Sequence, residues 1–329
     1  MNRVPTRAVV GHELGPPANY RIEPRDPGAP GPDEVRIAIH AAGVSYVDVL
    51  TAGGGYQVRP PVPFVPGSEC AGIVEAVGIG VSACAPGDAV VASSWGGLFA
   101  DAAVLPARSV RHAPAGLNLV EAAVFPVSYY TARLALVERA ALQPGETLLV
   151  LGAGGATGYA AIQLGKHLGA RVIASASSEA RRALALAGGA DVAIDARAEN
   201  WRERVRQAND GKGIDVVFDP VGGSVTEPAF RALGWNGRHL VVGFTAGIAQ
   251  FRTNLPLLKG ASLVGVDLRQ FGIHQPEAAA ANSAAVFALA EAGVLRPAIG
   301  KAYPLEEFAL AMAEAASGAA AGRVVLTMR

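Results

Sequence analysis

The sequence predicts an α/β protein, in which a doubly wound, six-stranded parallel sheet accompanies a second, mostly β domain. Three observations lead to this prediction. Six short apolar runs alternate with helical stretches in the middle of the 329-residue chain, a glycine-rich turn follows the first run, and more than half of the 22 prolines precede residue 115. Buried β-branched runs that alternate with helices are typical of a parallel sheet covered on both faces.

The first zone, residues 1 to about 122, is rich in Gly, Pro and Val. Its short apolar runs lie between turn signals; examples are Glu34–Ile39, Gly72–Val77 and Asp88–Ala92. This spacing predicts short strands in a partly open barrel or sandwich, and the prolines disfavour long helices there. Residues 295–329 return to short runs and end in a predicted strand, Arg323–Met328.

The middle zone begins with apolar residues at helical spacing over Leu119–Leu142, interrupted by Pro126. Six apolar runs then follow: Thr147–Leu151, Arg171–Ser175, Val192–Ile194, Asp215–Asp219, Arg238–Gly243 and Ser262–Val266. Helices are predicted between most of them, for example Tyr159–Leu168 and Ser178–Ala187, and an Ala-rich helix over Pro276–Ala292 closes the zone. Six such runs fit a doubly wound nucleotide-binding sheet.

Composition excludes several classes of function. Lys plus Arg total 28 and Asp plus Glu total 28, so the chain lacks the basic surface of a nucleic-acid or anionic-membrane binder. No stretch approaches 18 consecutive apolar residues, and the start of the chain has no apolar core of a signal peptide. Two cysteines, Cys70 and Cys84, fit a reducing compartment, so we expect a cytoplasmic protein.

A glycine-rich turn, Gly152 to Gly158, joins the run Thr147–Leu151 to the next predicted helix. Its glycines at 152, 155 and 158, with Gly154, Ala156 and Thr157 between them, allow a tight turn and a close approach of backbone N–H groups to a pyrophosphate. The N-terminus of the following helix adds partial positive charge. This strand–turn–helix context predicts dinucleotide binding.

The end of the second run bears on the choice between NAD and NADP. An NAD site usually has an acidic residue there that accepts hydrogen bonds from the ribose, whereas this chain has Ala176. Ser177, Ser178 and Arg181 follow, and they offer charge-assisted hydrogen bonds to a 2′-phosphate. The sequence therefore predicts NADPH, with a solvated basic helix face as the alternative explanation of the arginines.

Four motifs resemble the medium-chain dehydrogenase/reductase superfamily, in its zinc-free, zeta-crystallin-like quinone oxidoreductase branch. They are Ala41–Asp48, Pro63–Glu69, Phe218–Gly223 and the glycine turn, and the resemblance extends over essentially the whole chain. It implies a Rossmann domain for NADPH over residues 123–294. It also implies a discontinuous, GroES-like catalytic domain over residues 1–122 and 295–329.

The resemblance also bears on metal content. Zinc alcohol dehydrogenases of this superfamily have a Cys ligand and a His ligand where this chain has Ser45 and Ser68. A serine hydroxyl is a poor substitute for either ligand. The structural zinc of those relatives needs four closely spaced cysteines, which two in total cannot supply. We therefore expect no zinc.

Without a metal, hydrogen-bond donors must stabilise the charge that develops on the substrate oxygen. The resemblance places Tyr56, in a Gly-x-Tyr segment, near the nicotinamide, which makes it the best candidate donor; packing against the cofactor is the alternative role. Ser45 is the second candidate and Tyr46 a candidate for the substrate pocket, whereas Asp48 is interpreted as structural.

Further cofactor contacts follow from the resemblance and from the rule that such sheets bind ligands at the carboxyl ends of their strands. They are Ser128, Thr131, Gly243, Phe244, Thr245, Val266 and Leu268. Asp267 and Arg269 stand where relatives often have an aromatic pair, and they add charge beside the expected substrate pocket. Relatives dimerise through the sixth strand, and Ser262–Val266 is apolar enough for that edge, so we expect a homodimer.

These features predict an NADPH-dependent reductase that transfers hydride to a quinone or an α,β-unsaturated carbonyl. An enoyl-thioester reductase is a second hypothesis, although the chain has no obvious basic cluster for the phosphates of coenzyme A. A third is an NADPH-binding structural protein with little turnover, because both roles need the same glycine turn.

Overall fold

The computed structural model describes residues 6–328 of the chain. In chain order its strands are β1 (Arg7–Gly11), β2 (Tyr20–Pro24), β3 (Glu34–Val44), β4 (Glu69–Val77), β5 (Ala89–Ser93), β6 (Ala102–Pro106), β7 (Val110–His112), β8 (Thr147–Leu151), β9 (Arg171–Ala176), β10 (Val192–Asp195), β11 (Ile214–Asp219), β12 (Leu233–Val241), β13 (Ser262–Gly265), β14 (Ile299–Pro304) and β15 (Arg323–Thr327).

The helices begin and end as follows: α1 (Tyr46–Ala52), α2 (Leu119–Ala122), α3 (Pro126–Arg133), α4 (Ala156–His167), α5 (Glu179–Ala187), α6 (Trp201–Ala208), α7 (Thr226–Ala232), α8 (Asn254–Lys259), α9 (Leu268–His274), α10 (Pro276–Glu291) and α11 (Phe308–Ser317). Within residues 6–328, none is both long and apolar enough to span a bilayer.

The chain divides into two compact units. The first, here called the β unit, comprises residues up to Val127 and from Arg296 onward; the second, the α/β unit, comprises Ser128–Leu295.

The β unit contains a seven-stranded sheet in the order β14-β15-β3-β4-β5-β7, with β6 also paired to β3, and a separate β1–β2 pair. β3 runs antiparallel to β4, β6 and β15. The core of the β unit contains Val35, Ile37 and Phe99, all fully buried. The predicted mostly β domain is confirmed, because most of the regular structure of this unit is strand and its sheet encloses one core.

The α/β unit contains a six-stranded parallel sheet in the order β10-β9-β8-β11-β12-β13. β8, β9 and β10 extend from the centre of the sheet to one edge, and β11, β12 and β13 then extend from the centre to the other edge. This is the doubly wound order that the sequence predicts. Ligands bind such sheets outside the carboxyl ends of the strands, near the point where the order reverses. Here that point lies between β8 and β11.

Several boundaries differ from the sequence prediction, and three of them bear on the site. β12 covers Leu233–Val241 and β13 ends at Gly265, so Gly243 and Val266 lie in the segments that follow these strands. The predicted helix around Pro126 consists of α2 and α3, and a π-helical turn at Leu134–Arg139 continues α3. Proline starts α3 because its missing N–H is not needed in the first helical turn.

Candidate active site

The glycine positions of the turn between β8 and α4 leave no room for a side chain. Gly152 has φ +57°, and a Cβ at Gly158 would lie 2.4 Å from the Gly152 carbonyl oxygen. α4 follows at once, from Ala156 and Thr157 onward, and Gly155 at its N-cap gives it no side-chain cap. Bare backbone N–H groups at a helix N-terminus are suited to bind an anion. The turn therefore fits a dinucleotide pyrophosphate.

The polar residues after β9 gather beside this turn. Arg181 packs on it, since a Cβ at Gly154 would lie 2.5 Å from the Cβ and Cγ of Arg181. The Arg181 guanidinium lies 3.3 Å from the Ser177 hydroxyl, and Ser178 caps α5 by accepting from the Arg181 N–H. Ala176, where an acid would mark an NAD site, is buried at the end of β9.

Two further arginines lie near this segment. One of them has a structural partner, and the other adds positive charge close to Arg181. Arg182 pairs with Asp195 at 3.3 Å and donates to the Ala176 carbonyl. Burial lowers the pKa of Arg181, and the positive charge of Arg197 lowers it further. Arg197 was missed by sequence reasoning; it follows β10, which pairs with β9, so sheet order brings it toward Arg181. A cationic cluster of this kind suits a dianionic phosphate.

The other predicted cofactor residues lie in segments after β12 and β13 and on α3. Thr245 donates to the Pro220 carbonyl at 3.4 Å, and Phe244 is 37% exposed. The Val266 N–H donates to the Val241 carbonyl, which keeps this segment along β12. Leu268 opens α9 and Asp267 caps it, with Arg269 one residue further on. Ser128 is buried and Thr131 half-buried on α3.

The predicted catalytic serine of the β unit is engaged by a carboxylate. Ser45 caps α1, and its hydroxyl donates to Asp48 at 2.6 Å while the Asp48 N–H returns a hydrogen bond. Ser68 also hydrogen-bonds Asp48. Ser45 and Ser68 are thus both hydrogen-bonded to one buried acid, and the structural interpretation of Asp48 stays a prediction.

A second acid lies close to this group. Glu69 is 1% exposed, pairs with the buried Arg323 and accepts from the Val127 N–H. Burial raises the pKa of Asp48 and of Glu69, and each remains raised despite its hydrogen bonds and the positive charge of Arg323. Among residues 6–328, no group of three or more His, Cys, Asp and Glu side chains is placed to hold a metal ion.

The predicted donor Tyr56 lies beside an aromatic residue that sequence reasoning did not single out. Its ring centroid is 6.2 Å from that of Trp95, with the planes inclined by 34°. Trp95 is 54% exposed, yet hydrogen bonds from Ser94 N–H to Ser68 O and from Gly97 N–H to Val65 O fix its backbone on either side. Tyr46, half-buried, is the first residue of α1.

These features define a dinucleotide-binding oxidoreductase. Residues 31–115 match the alcohol dehydrogenase GroES-like domain family, and residues 156–285 match the zinc-binding dehydrogenase family. The chain is 35% identical to the mouse quinone oxidoreductase-like protein 2 over 326 residues, which is 98% of this chain and 92% of the mouse protein.

Two solved structures are similar over nearly their full length. A mycobacterial protein complexed with NADPH matches with a TM-score of 0.89 and 29% identity, over 98% of this chain and 99% of that one. The CurK enoyl reductase matches with a TM-score of 0.89 and 26% identity, over 99% and 100% of the two chains. The chain belongs to the quinone oxidoreductase family of medium-chain dehydrogenases/reductases.

Proposed function

We propose that this protein is a zinc-independent, NADPH-dependent reductase that transfers hydride to a quinone or an α,β-unsaturated carbonyl. The observation that carries the proposal is the cationic, hydroxyl-bearing cluster of Ser177 and Arg181 packed against the glycine turn. The similarity to an NADPH-complexed structure and to a quinone oxidoreductase-like protein supports it. NADPH, when bound, supplies the hydride, while the protein orients the cofactor and the acceptor and polarises the oxygen of the acceptor.

The residues of the α/β unit hold the two charged ends of the cofactor's adenosine half. Backbone N–H groups of Gly152–Gly158 and the α4 N-terminus bind the pyrophosphate, while Ser177, Arg181 and Arg197 bind the 2′-phosphate. In this proposal the exposed Arg197 joins Arg181 at the phosphate, because an anion there offsets the mutual repulsion of the two guanidinium groups.

Tyr56 is the donor to the substrate oxygen in this proposal. The Ser45 hydroxyl already donates a hydrogen bond to Asp48, so it offers the substrate only a lone pair unless that bond breaks. A phenol that hydrogen-bonds an oxygen gaining negative charge stabilises the transition state more than the ground state. Serine hydroxyls are poor zinc ligands, and Ser45 and Ser68 both hydrogen-bond Asp48, which supports a reaction without a metal at this position.

The Trp95 indole favours a planar aromatic acceptor. It is more than half exposed beside Tyr56, and aromatic faces attract flat rings by offset stacking. This favours quinones over short aliphatic enals. An enoyl-thioester reductase is the second candidate, since the CurK enoyl reductase has the same fold.

The test of the proposal is NADPH oxidation with a panel of acceptors: a naphthoquinone, phenanthrenequinone, a 2-alkenal, a cyclic enone and crotonyl-CoA, each with and without chelator. Turnover of a quinone or enone that chelator does not change is the expected result. A preference for crotonyl-CoA would favour the thioester reductase. Tight NADPH binding with no turnover of any acceptor would favour a binding role.

The nucleotide preference is tested by the double substitution Ser177→Ala/Arg181→Ala. It removes a charge-assisted contact, so the NADPH Kd should rise at least about tenfold while the NADH Kd stays nearly constant. Arg182→Ala is the matched control, because Arg182 pairs with Asp195 and should leave both constants unchanged. Equal losses for the two nucleotides would contradict the 2′-phosphate assignment.

The donor role is tested by Tyr56→Phe, which keeps the ring beside Trp95 and removes only the hydroxyl. We expect kcat to fall about a hundredfold, as when one oxyanion donor is lost, with the NADPH Kd unchanged. Unchanged kcat would assign the hydrogen bond to another group.

We also propose a homodimer formed through β13. This strand lies at the end of the sheet order, and Leu263 on it is 44% exposed. Leu257 and Leu258 on the preceding helix α8 are 81% and 67% exposed. An apolar strand edge of this kind pairs readily with a second copy. Sedimentation should give twice the 33.5 kDa chain mass; a monomer at micromolar concentration would contradict the dimer.

A further inference from the structure

A buried polar cluster lies under the loops at the carboxyl ends of β11 and β12. Asp219, Thr226 and His239 are 1%, 4% and 0% exposed. Asp219 Oδ1 accepts from the N–H groups of Val221 and Gly222, both at 2.9 Å. Oδ2 accepts from the Thr226 hydroxyl at 2.7 Å and lies 3.0 Å from His239 Nε2. One carboxylate therefore has four donors, from its own turn, from α7 and from β12.

The turn that this carboxylate holds, Pro220–Gly223, is named here the Pro220 turn. Gly222 has φ 70° and ψ −156°, a region open essentially only to glycine, and Gly223 follows with a left-handed φ of 61°. Such a turn needs hydrogen bonds to fix it, because glycine loses more conformational entropy than any other residue. The two N–H groups bound to Asp219 supply them.

The Pro220 turn touches both loops that contain predicted cofactor contacts. On one side, a Cβ at Gly152 of the glycine turn would lie 3.0 Å from Val221 Cγ2 and 3.4 Å from Pro220 Cγ. On the other side, a Cβ at Gly243 would lie 2.8 Å from the Pro220 carbonyl oxygen. The Ala246 N–H also donates to the Val221 carbonyl at 2.7 Å.

The Pro220 turn and the Gly243–Gly247 loop pack so closely that no Cβ fits between them. A Cβ at Gly222 would lie 2.6 Å from the Gly247 carbonyl oxygen, and one at Gly223 would lie 2.4 Å from that of Ala246. Since close-packed backbones transmit displacement, a shift of the Pro220 turn moves the Gly243–Gly247 loop with it.

We propose that Asp219, with Thr226 and His239, is a positioning group for the dinucleotide: it fixes the Pro220 turn, which in turn sets the glycine turn and the Gly243–Gly247 loop at their spacing. None of the three side chains needs to touch the cofactor. The inference depends on the proposed cofactor role of those two loops. It assigns function to a buried histidine and threonine that the glycine motif does not include.

The test compares Thr226→Val with Thr226→Ser and with Thr147→Val. Thr226→Val removes one donor to Asp219, and Thr226→Ser restores it. Thr147→Val is the matched control: Thr147 is also buried, and its hydroxyl donates to Asn209, but it begins β8, at the end of the strand opposite the glycine turn.

Two readouts are taken at a temperature where all variants are folded. The first is amide hydrogen exchange at Val221 and Gly222 in the cofactor-free protein, and the second is the Kd of NADPH and of NADH. For Thr226→Val we expect about tenfold faster exchange at these amides and about tenfold weaker binding of both nucleotides, equivalent to one hydrogen bond. Thr226→Ser should behave as the unmodified protein does, and Thr147→Val should change neither quantity.

A purely structural role would give a different pattern. If Thr226→Val lowers the unfolding temperature as much as Thr147→Val but leaves exchange and both Kd values unchanged, the inference is overturned. If the unmodified protein binds neither nucleotide, the proposed function fails, while the exchange data still decide whether Asp219 holds the turn. Faster exchange with unchanged Kd values would show that the turn does not set the cofactor loops and would also overturn the inference.

Discussion

Each unit buries a cluster built around carboxyl groups, and the two clusters differ in the partners of those groups. In the β unit, Asp48 is hydrogen-bonded by Ser45 and Ser68 and Glu69 by the Val127 N–H, but the two acids lie near each other and share the single guanidinium of Arg323. In the α/β unit, Asp219 has the His239 imidazole to itself, together with two backbone N–H groups and a hydroxyl. Burial opposes ionisation in both. It prevails in the first, where the pKa values of Asp48 and Glu69 are raised.

In the second cluster, burial also acts to raise the pKa of Asp219, but the hydrogen bonds from His239, Gly222 and Thr226 outweigh it, and the pKa is lowered. Burial alone therefore does not set the charge of an acid; its hydrogen-bond donors and the acids beside it also decide. The α/β cluster thus holds a firmly ionised carboxylate, which is what a turn fixed by N–H donors requires.

The largest effect is expected from Arg323→Met, which leaves two buried carboxylates without their cation. Breaking a buried pair from one side typically costs about 3–5 kcal/mol, so the free energy of unfolding in urea should fall by about that amount. Arg25→Met, at an exposed position, should change it by less than about 0.5 kcal/mol. The added substitution Glu69→Gln should recover part of the loss; no recovery would mean that the two acids do not compete.

A smaller loss is expected from Gly222→Ala in the Pro220 turn. A Cβ there meets the Gly247 carbonyl oxygen as well as an unfavourable φ, so we expect a loss of about 3 kcal/mol in the free energy of unfolding. Gly211→Ala is the control, since Gly211 has φ +80° but nothing within 4 Å of its Cβ, and its loss should be about 1 kcal/mol. Equal losses would show that only backbone strain, and not loop contact, matters here.

The smallest effect is a difference in pH dependence, measured as the free energy of unfolding of each variant minus that of the unmodified protein. The raised pKa of Glu69 makes the folded state lose stability as pH rises above the ordinary carboxyl value of about 4. Glu69→Gln removes that loss, so its relative stability should improve from pH 4 upward.

The lowered pKa of Asp219 has the opposite sign. Its contribution is fully present above pH about 4 and is lost as pH falls through the lowered folded-state value. Asp219→Asn removes this dependence, so its stability relative to the unmodified protein should improve only below pH 4. If the relative stabilities of Glu69→Gln and Asp219→Asn change with pH in the same way, the two clusters do not differ in the sense described here.

Much of the fold could be predicted from the sequence, because each feature depends on residues near one another in the chain. The strand–turn–helix at Gly152–Gly158 is such a local pattern. The family motifs added the discontinuous β domain as a prediction. The outermost boundaries were less accurate, as at β12, because strand ends depend on the neighbouring strand.

The rest depends on sheet order and register, which the sequence does not display. Asp219 meets His239 only because β12 pairs with β11 in parallel, and it meets Thr226 only because α7 returns to the end of β11. Arg197 nears Arg181 because β10 lies next to β9. Ser45 could be predicted as a hydroxyl at the right position, but not as one engaged by Asp48.

The contact between Gly154 and Arg181 restricts how the nucleotide preference of this protein can be redesigned. A side chain at position 154 does not fit, since a Cβ there would lie 2.5 Å from the Cβ of Arg181 and 3.1 Å from its Cα. Every residue except glycine has that Cβ, so replacing Arg181 by a smaller side chain does not open position 154. Mutagenesis aimed at NADH should therefore keep Gly154 and vary position 181 alone.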